Sequence, residues 1–204
     1  MNTSSDSWQQ QGTFWLLDLD APRPSGVAAR VPATFTRVVE AAAARMLADA
    51  MRLPAEHVRA RFAAGARCYV GAVDGVWASY GWVSFHEEQI GEISLRIRLK
   101  PGEAYIWDCA TAPAYRRLRL YTALLAHIVA ELRAEGFTRI WIGADSDNLP
   151  SQYGIATVGF QPVADLLINS ASPARQLQLR GRPGAPTQIV SDVRQMLHGG
   201  DLIL

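Results

Sequence analysis

Apolar and polar residues alternate with two different periods along the chain, and their order predicts a mixed α/β fold. Residues 13–20 form an apolar run typical of a strand. Residues 34–53 are rich in alanine and carry apolar side chains near helical spacing, which predicts a helix stopped by Pro54. Residues 55–64 predict a second helix, which ends at Gly65.

The middle of the chain has the two-residue period of strands. Residues 67–73 and 76–86 flank an Asp-Gly pair, which favours the positive φ angles of a tight hairpin turn. Residues 93–100 alternate between apolar and charged side chains, which predicts a strand with one dry and one wet face. Residues 103–111 are apolar on both faces and therefore predict a central strand.

The clearest helical pattern spans residues 117–135 and is followed by Gly136, a suitable C-cap. Its apolar stripe consists of Tyr121, Leu124, Leu125, Ile128, Val129 and Leu132. After it we predict a strand over residues 138–145, a short helix over 151–158 and a strand over 160–168. This order predicts an α/β (α+β) domain with helices on the faces of its sheet.

The domain is expected to span residues 1–180, with a flexible polar start over residues 1–11. The composition Arg-Gly-Arg-Pro-Gly-Ala-Pro then predicts a linker, so residues 181–204 are expected to be a linker and a helical tail. A helix over residues 187–198 can dock back on the domain or onto a partner.

Composition narrows the class of protein. The formal charge is +1, from 20 basic and 19 acidic residues, which gives no support to a nucleic-acid or membrane-surface role. The two cysteines make neither a disulfide scaffold nor a zinc site, so no metal is expected. No apolar run reaches the ~20 residues that span a bilayer. Residues 1–12 lack the features of a signal peptide, so a soluble cytoplasmic protein is expected.

An arginine-rich turn joins the strand at 103–111 to the long helix. Arg116, Arg117 and Arg119 lie where a helix N-terminus presents unpaired amides and a partial positive charge. They are either a solvated first turn or an anion site. Three cations that oppose the helix dipole favour an anion to offset them.

This region resembles the GNAT superfamily of N-acyltransferases. Residues 111–116 are similar to its strand-end pattern x-Pro-x-Tyr-Arg, and residues 117–125 lie over its phosphate loop, usually Arg/Gln-x-x-Gly-x-Gly/Ala. Asn148, Ser151 and the Gly-Phe pair at 159–160 resemble its later Asn-x-x-Ala/Ser…Gly-Phe motif. The detailed match covers residues 103–160.

The resemblance implies a mostly antiparallel sheet of about six to seven strands with an acyl-CoA site at a splay between central strands. Acetyl-CoA would be the cofactor, with its pyrophosphate on the amides of residues 118–122 and its pantetheine arm along residues 109–111. The implied cofactor-binding residues are Cys109, Ala110, Thr111, Arg116, Arg117, Leu118, Arg119, Leu120, Tyr121, Thr122, Asn148 and Ser151.

The implied reaction is direct acetyl transfer to a primary amine of a small molecule or peptide, assisted by a general base. Asp108 is the first candidate, because burial in its strand would raise its pKa; the alternative is a structural ion pair with Arg96 or Arg98. Weaker candidates for the base are Glu88, Glu92 and His86. Trp77, Trp82 and Trp107 are candidates to line an acceptor pocket or to pack in the core.

The chain departs from the family pattern at three positions. Arg119 replaces the central glycine and Tyr121 the next small residue, while Ile155 replaces a tyrosine proton donor for which Tyr153 is the nearest substitute. Arg119, expected on the helix side opposite Tyr121, either forks onto a phosphate or fills the site. Two functions therefore stay open: an N-acetyltransferase, or a catalytically inactive GNAT-fold ligand-binding or structural protein. A homodimer, formed through a sheet edge or the tail, is a further expectation.

Overall fold

The computed structural model describes residues 8–22, 24, 26–38, 43–90, 95–169 and 176–199, together with the backbone of residues 201–203. Its strands are β1 Trp8–Asp18, β2 Thr34–Val38, β3 Arg67–Val73, β4 Val76–Ser84, β5 Glu87–Ile90, β6 Leu95–Arg98, β7 Glu103–Thr111, β8 Arg139–Asp145, β9 Gln161–Asn169, β10 Gln176–Gly181, β11 Leu197–His198 and β12 Asp201–Ile203. Its helices are α1 Ala44–Met51, α2 Ala55–Ala63, α3 Leu120–Ala134, α4 Leu149–Val158 and α5 Thr187–Met196.

The strands form two sheets. The larger has nine strands in the order β12-β10-β9-β1-β8-β7-β4-β3-β2, and the smaller has the order β11-β6-β5. The pairs β7–β8 and β10–β12 are parallel, and the other neighbouring pairs are antiparallel. The predicted mixed, mostly antiparallel sheet with flanking helices is confirmed, although it has more strands than expected.

Helices α3 and α4 cover one face of the large sheet. The predicted stripe of α3 is confirmed, because Leu124, Leu125 and Ile128 pack fully buried against Ile106 of β7 and Ile140 of β8. Tyr121 lies at the edge of this core and is only half-buried. Burying apolar surface on this scale is the main force that fixes α3 on the sheet, at about 25 cal/mol per Å².

The small sheet and α5 cover the opposite face. Val193 and Met196 of α5 pack there with Trp141 of β8 and Ile97 of β6. The buried Asp192 of α5 accepts hydrogen bonds from Lys100 Nζ and Arg139 Nη1, each at 2.9 Å. The C-terminal helix therefore docks back on the sheet of the same chain.

Asp192 anchors α5 by its charge as well as by its position. Burial alone would raise the pKa of Asp192, but hydrogen bonds from Lys100, Gln188 and Arg139 hold that pKa below its ordinary value. The carboxylate form is thus the one that the docked helix prefers.

The start of the chain corrects two predictions. The helix expected over residues 34–53 is wrong at its start, because Thr34–Val38 is the edge strand β2, paired with β3, and α1 begins only at Ala44. Alternating β-branched residues in β2 outweigh the helical spacing once β3 offers a partner. Residues 39–42 lie outside the described part of the chain.

The expectation of a flexible segment over residues 1–11 is wrong for its last residues, because β1 begins at Trp8 and pairs there with Asn169 of β9. Residues 1–7 lie outside the described part. No helix within the described residues is both long and apolar enough to cross a bilayer.

Candidate active site

The parallel pair β7–β8 opens partway along its length. Pairing runs from Glu103↔Arg139 to Ile106↔Ile142 and stops there, although β7 continues to Thr111 and β8 to Asp145. Beyond that point the two strands border the same cavity. The predicted splay at the centre of the sheet is therefore present.

Two cavities meet at this splay. The arginine cavity, about 820 Å³, lies beside the start of α3 and is lined by Arg30, Arg116, Arg117 and Arg119. The acid cavity, about 600 Å³, lies between β7 and β8 and is lined by the carboxylates Asp108 and Asp145. Among the described lining residues the arginine cavity has no Asp or Glu, and the acid cavity has no Lys or Arg.

The backbone of the arginine turn is shaped like a glycine-rich loop, although it contains no glycine. Arg117 has φ +67° and Arg119 φ +59°, both in the left-handed region. The helical ladder begins with Ala123 N–H donating to the Arg119 carbonyl at 3.0 Å. Helix geometry therefore leaves the amides of residues 120–122 for a ligand, and the left-handed turn before them forms a concavity suited to an anion.

The structure changes the placement of Arg119. It was predicted to lie on the helix, but α3 begins at Leu120 and Arg119 is its N-cap. The residue keeps the left-handed conformation that a glycine adopts easily, at a cost of about 1–3 kcal/mol for a residue with a side chain. The side chain is exposed and borders the arginine cavity.

Arg30 joins this cavity from a distant segment that carries no recognisable motif. Its backbone N–H donates to the Leu118 carbonyl at 2.8 Å, and its Nη1 donates to the Arg117 carbonyl at 3.4 Å. These bonds fasten the loop before β2 to the arginine turn. No local motif marks Arg30, because its neighbours in the cavity are more than 70 positions away in sequence.

A β-bulge places Asp108. The register between β4 and β7 shifts between Tyr80↔Ala110 and Trp82↔Trp107, so Asp108 and Cys109 both lie opposite Gly81. Asp108 has φ +41°, and its side chain is 33% exposed. The expectation that Asp108 is buried mid-strand is therefore wrong, because the bulge turns its side chain outward.

The partner of Asp108 is Arg61 of α2, at 2.5 Å between Nη1 and Oδ2. The guanidinium carbon of Arg61 also lies 4.5 Å from the centroid of Trp107 and 5.2 Å from that of Trp82. The expected ion pair exists with a different arginine, because Arg96 and Arg98 both pair with Glu87 instead.

Four of the described residues line both cavities: Cys109, Tyr121, Asn148 and Ser151. The hydroxyls of Tyr121 and Ser151 are hydrogen-bonded at 2.9 Å, and Asn148 Oδ1 accepts from the Ser151 amide at 3.2 Å as the cap of α4. Burial raises the pKa of Tyr121, and burial with the charge of Asp108 raises that of Cys109 to about 12.

Most of the predicted cofactor-binding residues come together in the arginine cavity. The residues that line it are Cys109, Ala110, Thr111, Arg116, Arg117, Arg119, Leu120, Tyr121, Thr122, Asn148 and Ser151. Leu118 does not line it and packs near Leu120 instead. Asp108 and Tyr153, the two predicted catalytic residues, line different cavities.

The remaining candidates are distributed as follows. Ile155 is fully buried in the core, whereas Tyr153 is 68% exposed at the arginine cavity. Of the three tryptophans, Trp107 lines the acid cavity, whereas Trp77 and Trp82 pack in the core beside α1 and α2.

The weaker candidates for the base lie elsewhere. Glu88 accepts a hydrogen bond from Ser84 Oγ at 2.6 Å. His86 is exposed and lines neither cavity, and Glu92 lies outside the described residues. Asp145, which the sequence analysis missed, follows the apolar part of β8 directly, and a carboxylate at a strand end is a signal that could have identified it.

Comparison with known proteins gives the family of this fold. The sequence profile of the acetyltransferase (GNAT) family matches residues 37–160. A search of curated proteins found no match. The matched range is more than half of the chain and contains the arginine turn, the splay and α4.

Solved structures of acetyltransferases share the fold. One from Colwellia psychrerythraea has a TM-score of 0.54 and 12% identity over 78% of this chain and 55% of its own. One from Sphaerobacter thermophilus has a TM-score of 0.55 and 13% identity over 76% and 50%. A tandem GNAT protein of the clavulanic acid biosynthesis pathway has a TM-score of 0.53 and 24% identity over 75% and 50%. The chain thus spans about half the length of these structures.

Proposed function

The chain belongs to the acetyltransferase (GNAT) family, and from that membership we propose that it transfers an acetyl group from acetyl-CoA to a primary amine of a small molecule or peptide. The observation that carries this proposal is the meeting of two oppositely charged cavities at the open splay between β7 and β8. The family uses acetyl-CoA, and a transferase needs separate sites for donor and acceptor that share a boundary.

The arginine cavity has the features of a site for the phosphates of coenzyme A. Arg30, Arg116, Arg117 and Arg119 supply positive charge, and the first amides of α3 supply directed donors. The left-handed turn takes the place of the glycine loop. We therefore assign Arg119 as a ligand of phosphate rather than as an obstruction.

The edge of β7 that faces the splay suits the pantetheine arm. Ala110 and Thr111 stay paired with β4, whereas residues 109–111 have no pairing with β8. The Thr111 carbonyl accepts a hydrogen bond from Arg116 Nε at 3.4 Å. The Thr111 hydroxyl is also buried without a hydrogen-bond partner among the described residues. An extended, amide-bearing ligand can satisfy such groups as an added strand does.

The acid cavity suits a cationic acceptor. Two carboxylates and an aromatic ring, those of Asp108, Asp145 and Trp107, border a space large enough for a small molecule or the end of a peptide. An ammonium ion gains from the negative charge of the two carboxylates. An acceptor that carries its own carboxylate would be repelled.

Asp108 is the proposed base of this reaction. Its carboxylate borders the acid cavity at the bulge next to Cys109, where the thioester would enter from the arginine cavity. It can hold the incoming ammonium and accept one of its protons before attack. The acceptor's cation competes with Arg61 for this carboxylate.

The ion pair between Arg61 and Asp108 also supports the second candidate, a catalytically inactive GNAT-fold protein that binds a ligand. In that case Asp108 has a structural role, holding α2 against the bulge through Arg61. Such a protein would bind coenzyme A without consuming thioester.

A panel of amines with acetyl-CoA tests the proposal, with release of free thiol as the readout. Alkylammonium and arylalkylammonium ions are expected to be acetylated, and amines that also carry a carboxylate are expected to react poorly. If the protein binds acetyl-CoA but no amine accelerates the release of thiol, the catalytically inactive GNAT-fold protein is favoured instead.

A further inference from the structure

If the acyl transfer proposed above takes place, the sulfur of coenzyme A leaves at the junction of the two cavities. This inference rests on that proposed function. When the thioester carbon is attacked, its bond to sulfur breaks and the sulfur carries away the electron pair. A positioned group that donates a proton to the departing thiolate speeds the step. The bond to sulfur would break where the two cavities meet, so the donor is sought among the residues that line both of them.

Few protic groups meet that condition. Among the described residues, only Cys109, Tyr121, Asn148 and Ser151 line both cavities. Cys109 points its thiol at the Trp107 carbonyl, 3.5 Å away. Asn148 uses its side-chain oxygen to cap α4, and an amide is no proton donor at neutral pH.

We propose that Tyr121, in the first turn of α3, is the acid that protonates the leaving sulfur. A phenol has one hydrogen and two lone pairs, and the 2.9 Å contact with Ser151 can use a lone pair while the hydrogen points into the junction. Ser151 orients the phenol and is a positioning residue.

The packing around Tyr121 shows that its place is built into the fold. A Cβ on Gly154 of α4 would lie 2.8 Å from the Cδ1 atom of the Tyr121 ring. Helix α4 therefore has a glycine, with no side chain, at the position where the ring of Tyr121 packs against it. Burial raises the pKa of this phenol, so the hydroxyl stays protonated at neutral pH and is present as a hydrogen-bond donor to the charge that develops on sulfur.

Tyr153, the nearest substitute by sequence, lacks this placement. Tyr153 is 68% exposed and lines only the arginine cavity. Ile155 is fully buried, and its hydrocarbon side chain has no acidic proton. Tyr121 therefore takes over from α3 the role that the sequence analysis assigned to Tyr153 on α4.

The step balances in atoms and charge. The bond from nitrogen to the acetyl carbon forms, the bond from carbon to sulfur breaks, and the Tyr121 proton moves to sulfur. The ammonium acceptor gives up two protons in all. One passes through the base to solvent and the other restores the tyrosine, so the sum is amide, free thiol and one released proton.

The test is the replacement Tyr121→Phe, which keeps the ring against Gly154 and removes only the hydroxyl. Bound coenzyme A reports on that hydroxyl without turnover, because the thiolate absorbs short-wavelength ultraviolet light much more strongly than the thiol does. The absorbance of the thiolate is followed against pH in the wild-type and variant complexes with coenzyme A. The absorbance of the matching acetyl-CoA complexes, which contain no free thiol, is subtracted. The groups that face the hydroxyl are Ser151, Asn148 and Cys109, and Asp108 and Asp145 border the acid cavity; all are common to both proteins.

We expect the pKa of the bound thiol to rise by about one unit in Tyr121→Phe, because the thiolate loses a hydrogen-bond donor. With any amine that is turned over, kcat is expected to fall about tenfold to a hundredfold with little change in KM. Ser151→Ala, a second and milder variant, should shift the thiol pKa in the same direction by less.

An unchanged thiol pKa in both variants would overturn the role of Tyr121, as would a shift in Tyr153→Phe and none in Tyr121→Phe. Wild-type protein that fails to bind coenzyme A at all would instead contradict the proposed function and this role together, so the two failures are told apart by the binding step.

Discussion

The two cavities are built from different kinds of sequence information. The arginine cavity comes mainly from one continuous stretch, from the end of β7 through the turn to α3, with Asn148 and Ser151 at the start of α4. The acid cavity draws on β1, β7, β8 and β9, which are far apart in the chain. A local motif therefore predicts the arginine cavity, the proposed donor site, whereas the acid cavity, the proposed acceptor site, exists only once the sheet is assembled.

The cavities also differ in how they hold charge. The arginine cavity concentrates four guanidinium groups with no facing carboxylate among its described lining residues, an arrangement that favours binding an anion. The acid cavity has Asp108 already paired with Arg61, so a cationic acceptor must exchange with an internal cation. We therefore expect changes in the first cavity to alter affinity for coenzyme A, and changes in the second to alter turnover.

The largest effect is expected from Asp108→Asn in the acid cavity. Asparagine tolerates the φ of +41° at this position, so the bulge should persist while the proton acceptor is lost. Turnover should fall by about a hundredfold or more, with the Kd for coenzyme A unchanged. Steady-state kinetics and calorimetry measure the two quantities, and undiminished turnover would remove Asp108 from the role of base.

Charge reversal at Arg119 should have the next largest effect, and on the other cavity. We expect Arg119→Glu to weaken binding of acetyl-CoA by about a hundredfold, because a carboxylate would face the phosphates. Arg59→Glu is the matched control, since Arg59 is an exposed arginine of α2 that lines neither cavity. Equal losses in both variants would mean that only the overall charge matters.

Arg119→Gly separates the charge of this residue from its backbone conformation. Glycine relieves the strain at φ +59°, so the free energy of unfolding should rise by about 0.5 kcal/mol. Affinity for acetyl-CoA should nevertheless fall by about tenfold, because a guanidinium is lost. Arg119→Ala keeps the strain and serves as the control. Tighter binding in the glycine variant would show that Arg119 obstructs the site.

The sequence predicts the fold correctly wherever the local pattern of residues favours the same element that tertiary packing stabilises. The stripe of α3 and the Asp-Gly hairpin between β3 and β4 are examples, since each is decided by residues close together in the chain. Strand β2 was missed because its partner β3 lies about 30 residues away and its composition blends into an alanine-rich run.

The residues of the candidate site could likewise be predicted only where they belong to a local motif. Arg116, Arg117 and Arg119 follow a recognisable pattern, and the structure places all three at one cavity. Arg30 and Arg61 reach the site only through tertiary packing, and no spacing in the sequence points to them. Tyr121 could be read as a departure from a motif, but its fit against Gly154 is visible only in the folded chain.

The smallest effect is expected from Thr111→Val, which tests the open edge of β7. The Thr111 hydroxyl is buried and has no hydrogen-bond partner among the described residues, so valine should raise the free energy of unfolding by about 1 kcal/mol. If the pantetheine arm satisfies that hydroxyl, affinity for acetyl-CoA should fall about threefold. Greater stability with unchanged affinity would place the arm elsewhere.

The most direct test of the two-cavity account is calorimetric titration of the protein with acetyl-CoA, with adenosine diphosphate as a control. The account predicts one-to-one binding of acetyl-CoA in the micromolar range, and much weaker binding of adenosine diphosphate, which lacks the pantetheine arm. No binding of acetyl-CoA at millimolar concentration would mean that the arginine cavity is closed to the cofactor and would contradict the account.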